Sequence, residues 1–170
     1  MTRQDQIYKW FIYALGLLPI WVLDAYLLGR WPVWGVKPIL LPLAVAAVAV
    51  MEGAAAGGYW GFALGLLWEF GYAGGAGGMV FFFTLAGALV GSAAQYALTQ
   101  GFVGCLVCST GIMAVLEGLR VFWGLFTRWA PLSVLLEMAG KEFLWTLAWT
   151  PVVYLIFRAV FHRVGLDKLA

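Results

Sequence analysis

Five charged side chains lie within otherwise apolar stretches of this chain: Asp24, Glu52, Glu69, Glu117 and Arg120. At the centre of a lipid-embedded helix such a group costs on the order of 2.5–3.5 kcal/mol, so it marks a place where charges pair or meet something else. Glu117 and Arg120 are three residues apart, which puts them on one helix face within pairing distance. Three uses of these groups are open. They can pair locally and snorkel to the nearest interface, dock a partner, or line a small-molecule pocket.

Other chemistry lacks parts. Cys105-x-x-Cys108 has the spacing of a redox or half-metal motif, but no second cysteine pair exists and the one histidine, His162, is remote in sequence. A metal site needs about four ligands, so no metal site is expected, and the cysteines read as two small residues on one helix face. Ser92, Ser109 and Ser133 are the only serines, and none has a histidine neighbour; a nucleophile needs its base within hydrogen-bond reach. Phosphate-binding glycine patterns need a strand, a loop and a helix around them, whereas Gly71 to Gly78 joins two apolar segments. No catalytic residue, cofactor or enzyme activity is expected.

The elements that would carry the five charges are membrane helices. Between Glu69 and Glu117 run 47 residues without a charged side chain, and about 20 apolar helical residues cross a hydrocarbon core of roughly 30 Å. The chain is 64% hydrophobic and 11% charged, with mean hydropathy +0.93. Lipid offers no partner to unpaired backbone groups, so the expected class is an all-α polytopic bundle forming one integral membrane domain over residues 1–170. Six spans fit: 8–28, 38–56, 58–73, 78–98, 102–125 and 143–161, with a Gly-rich break at 71–78 and a polar one at Thr99-Gln100-Gly101. Pro38 and Pro42 open the second. The third, only sixteen residues long, covers about 24 Å, and a re-entrant hairpin over 38–73 is the alternative. The run from Tyr8 to Gly29 is too long for a signal h-region and no A-x-A pattern follows, so it reads as a retained first span. Leu132, Val134, Leu135, Leu136 and Met138 give the 127–141 connection the look of a surface helix or a plain linker.

Six spans put both termini on one side, with Arg3, Lys9, Arg158, Arg163 and Lys168, against Arg30, Lys37, Arg128 and Lys141 opposite. The C-terminal basic cluster assigns the termini to the cytoplasm. Trp10 and Trp60 then lie at the inner interface, and Trp31, Trp34, Trp123, Trp129 and Trp145 at the outer one. The same topology gathers Asp24, Glu69, Glu117 and Arg120 into an outer polar cluster, leaving Glu52 near the inner turn. Gly61-x-x-x-Gly65 and Gly87-x-x-x-Gly91 provide helix-packing faces, since missing side chains let backbones approach closely. A net charge of +2, scattered along the chain, gives no reason to expect nucleic acid binding.

The segment Gly61-Phe62-Ala-Leu-Gly65-Leu66-Leu-Trp-Glu69 resembles the G-F-x-x-G-L-x-x-D segment of the bacterial rod shape-determining MreD family, with Glu69 in the place of the usual Asp. The run from Gly78 to Gly87 and Gly91 is similar to that family's following span. Trp149-Thr-Pro151-Val-Val-Tyr154-Leu-Ile-Phe-Arg158 looks like its closing span. The resemblance implies a non-catalytic scaffold in the bacterial cytoplasmic membrane, within the cell-wall elongation complex and beside MreC, MreB and the RodA–transpeptidase pair. It does not imply a small-molecule ligand. Asp24 in the first span and the high tryptophan content depart from the family's pattern. The second reading is the vitamin-capture subunit of an energy-coupling-factor transporter, also a small six-span bundle, which the MreD family resembles in fold. The A-x-x-x-A signature of those subunits is missing from residues 8–28, where only Ala14 and Ala25 occur.

Overall fold

The structure, a computed structural model, describes residues 3–28, 30, 32, 35–71, 77–96 and 101–166. Among them the regular elements are helices, with no strands: α1 (Arg3–Val22), which passes into a π-helical turn (Leu23–Leu27), then α2 (Leu41–Glu52), α3 (Ala54–Gly71), α4 (Gly78–Tyr96), α5 (Phe102–Phe126), α6 (Leu132–Ala148) and α7 (Thr150–Leu166). The expected Gly-rich break at 72–76, the polar break at Thr99-Gln100, and Trp31, Trp34 and Lys168 lie outside the described residues.

The centre of the bundle is α2. Every residue from Leu41 to Val50 is buried, and α1, α3, α4, α5 and α7 all pack on it. Its sequence, LPLAVAAVAV, explains this: a helix apolar on all sides belongs inside, and four alanines keep it thin enough for several neighbours to approach. Twelve residues span only about 18 Å, so within the range 38–56 expected for the second span the structure has a short, buried apolar helix. It ends because Gly53 adopts φ +91°, a conformation open to glycine. The chain then folds back, and Gly57 of α3 packs on Ala49 of α2.

Glycines likewise set the α3–α4 pair, which runs antiparallel with its backbones in contact. A Cβ on Gly61 would collide with the carbonyl of Phe83, and one on either Gly57 or Gly87 with the carbonyl of the other. A Cβ on Gly65 would come 2.5 Å from Val80 Cα, and one on Gly91 2.5 Å from Ala54 Cα. Gly61, Gly65, Gly87 and Gly91 are thus the points of closest approach, where dispersion between backbones replaces side-chain packing.

The last two helices are nearly one. The Trp149 amide turns back to the Thr146 carbonyl at 3.0 Å, and Pro151 has no N–H to offer Leu147, which breaks the ladder at that point. Leu132–Arg163 is a 32-residue apolar stretch interrupted at Trp149. The expected sixth span over 143–161 lies inside this longer helical stretch. The 127–141 connection is mostly α6 itself, with Leu135 buried against Gly124 of α5. Among the described residues, three helical stretches are long and apolar enough to cross a membrane: Gly78–Tyr96, Phe102–Phe126 and Leu132–Arg163. Ile7–Val22 and Leu41–Glu52 are apolar but shorter.

Candidate functional site

Near the C-terminal end of α5, Glu117 and Arg120 share a helix face, as their spacing requires. Arg120 Nη1 donates to Glu117 Oε1 at 3.4 Å and, with better geometry, to Glu142 Oε1 of α6 at 3.0 Å. The guanidinium also lies 5.8 Å from the centre of the Trp68 ring, within range of a cation–π contact. Arg120 thereby ties α5 to α6 and α3.

Glu69, at the end of α3, accepts a hydrogen bond from the Met79 amide in the first turn of α4 at 3.2 Å. A carboxylate there satisfies one of the helix's orphan donors and lies at the positive end of its dipole. Glu69, Glu117, Arg120 and Glu142 all line one cavity of about 1060 Å³ between the C-terminal end of α3, the N-terminal end of α4 and the α5–α6 pair, whose apolar walls include Phe82, Phe122, Trp123 and Met138.

Asp24 does not belong to this lining. The π-helical turn carries it inward to 3% exposure, and its Oδ1 accepts from the Leu40 amide at 3.0 Å. Thr146 Oγ1 accepts from the Ile39 amide at 3.1 Å. Together they hold the two buried amides that lead into α2, donors that would otherwise have no partner in an apolar interior. At the other end of α2, Glu52 is bonded by Lys9 and, at 2.7 Å, by the Tyr13 hydroxyl. The central helix is thus clamped by polar side chains at both ends.

Sequence reasoning missed Glu142 and Thr146, and counted Lys9 only among the basic residues on the side of the termini. One signal was available: Arg120 stands in a long apolar run with Glu117 beside it, and Glu137, Lys141 and Glu142 form the charge cluster that a following antiparallel helix could bring to it. Thr146 gave no such sign. Cys105 and Cys108 are buried free thiols, and no group of three or more metal-ligating side chains occurs among the described residues.

The described residues form a helical bundle with three membrane-length apolar stretches and a groove lined by Glu69, Glu117, Arg120 and Glu142. No protein-family model, no curated protein and no solved structure matches this chain.

Proposed function

We propose that this protein is a non-catalytic membrane scaffold of the bacterial cell-wall elongation complex, held in the cytoplasmic membrane with both termini in the cytoplasm and taking part in cell-shape determination. The observation that carries this reading is that the buried charges serve the protein's own architecture. Arg120 joins three helices, Glu69 caps α4, Asp24 holds the head of α2, and Glu52 anchors its tail to α1. Groups committed in this way build a rigid set of helix faces, which is what a scaffold presents to partner spans. The resemblance of Gly61 to Glu69, and of the span after it, to the MreD family supplies the partners: MreC, MreB and the RodA–transpeptidase pair. Depletion in the native host tests the reading. Widened or rounded cells are expected, and normal rods after complete depletion would exclude it.

A second reading is favoured by one observation, the cavity of about 1060 Å³, since small-molecule sites run to roughly 1,000 Å³. On that reading the chain resembles in fold, and acts as, the vitamin-capture subunit of an energy-coupling-factor transporter. Glu117→Ala and Arg120→Ala would then abolish vitamin binding and uptake. Unchanged binding and uptake in both variants would exclude it.

A further inference from the structure

We infer that the groove between the C-terminal end of α3, the N-terminal end of α4 and the α5–α6 pair is a docking site for an apolar helical segment of a partner membrane protein, and that this segment carries a basic side chain. The inference rests on the scaffold reading and names the surface and the chemistry through which the scaffold acts.

The shape favours a rod over a small molecule. Ligand pockets enclose most of their occupant, whereas here Leu119, Phe122 and Trp123 are 51%, 65% and 65% exposed. A trough with open walls of aromatic and aliphatic side chains suits a helix laid lengthwise, and tryptophan and phenylalanine are typical interface anchors.

Charge narrows the occupant further. Among the described residues the groove holds three carboxylates, Glu69, Glu117 and Glu142, against one guanidinium, Arg120. The α4 N-terminus beside Glu69 adds roughly half a positive charge. The balance stays negative within apolar walls, where unmatched charge is costly. An occupant's lysine or arginine beside these side chains would bring the set close to neutrality. A wholly apolar helix would leave the imbalance buried.

Photo-crosslinking of the full chain in native membranes tests this. Benzophenone side chains at Phe122 and Met138 in the groove are compared with one at Leu89, on the exposed face of α4. Crosslinks from the groove are expected to map within one helical turn of a lysine or arginine in a partner's membrane segment, with little from Leu89. Glu142→Gln should lower the yield about tenfold. Glu142→Lys should abolish it, and exchanging the partner's basic residue for glutamate should restore it. Trp123→Ala leaves the charges intact and should also reduce the yield, which separates loss of docking from loss of the Arg120 pair. Crosslinks to lipid or a small amine alone, to segments without a basic residue, or unaffected by both Glu142→Gln and Trp123→Ala would overturn the inference. If elongation partners still co-purify in that case, the groove proposal falls and the scaffold reading stands. If no elongation partner co-purifies, both fall.

Discussion

The backbone amide of Leu40 donates a 3.0 Å hydrogen bond to the Asp24 carboxylate, joining the end of the first helix to the head of the helix buried at the centre of the bundle. This contact gives an apparently misplaced charge a structural purpose. Asp24→Ala should destabilise the protein by about 1–3 kcal/mol, the penalty for orphaning a buried donor. Asp24→Asn keeps a carbonyl acceptor and should lose less. Denaturant unfolding in detergent measures both, and wild-type stability in the alanine variant would show that the amide finds another partner.

The α3–α4 contact predicts opposite outcomes for two superficially similar substitutions. Gly61→Ala drives a methyl group into the Phe83 carbonyl and should cost about 1–3 kcal/mol through forced separation of the helices. Gly118→Ala meets nothing within 4 Å and should be neutral or stabilising by up to about 1 kcal/mol through helix propensity. Thermal unfolding of the two variants side by side checks the contrast; equal effects would mean that the α3–α4 backbones do not touch.

Arg120 and Glu142 should be energetically coupled. In a double-mutant cycle, Arg120→Ala and Glu142→Gln should each destabilise, and the double variant should lose less than the sum, by about 0.5–3 kcal/mol. Strict additivity in the same unfolding assay would mean that the 3.0 Å contact contributes no net coupling.

At the opposite end, Lys9 and Glu52 are both largely shielded, with side-chain exposures of 17% and 11%. Lys9→Met should cost about 3 kcal/mol by leaving the carboxylate without its cation. Adding Glu52→Gln should recover part of that loss, since a neutral amide can still accept from Tyr13. No recovery in the double variant would show that Lys9 matters through its packing and not its charge.

The helical class of the chain was legible because long uncharged runs permit little else, and the Gly61, Gly65, Gly87 and Gly91 spacings pointed to close helix contacts. The location of α2 was not legible. Lipid and a protein interior both select apolar residues, so hydropathy cannot separate a span from a short buried helix. Only the run of alanines and the single Gly53 hinted at the difference. Asp24 was grouped with Glu69, Glu117 and Arg120 because depth along a helix can be counted from sequence while the direction a side chain faces cannot; the π-helical turn re-aims Asp24 towards α2 instead. Pro151 looked like part of a span opening at 143, but it is a break inside a 32-residue stretch. The helical pattern on its N-terminal side continues back to Leu132, through residues that read equally well as a surface helix.

Mild-detergent affinity purification from native membranes, with mass spectrometry of everything that co-elutes, tests the scaffold assignment most directly. Co-elution of MreC or the RodA–transpeptidase pair is the expected result. Recovery instead of an energising transmembrane subunit with its ATPases, or of a bound vitamin, would contradict it and make the Arg120 groove a ligand site.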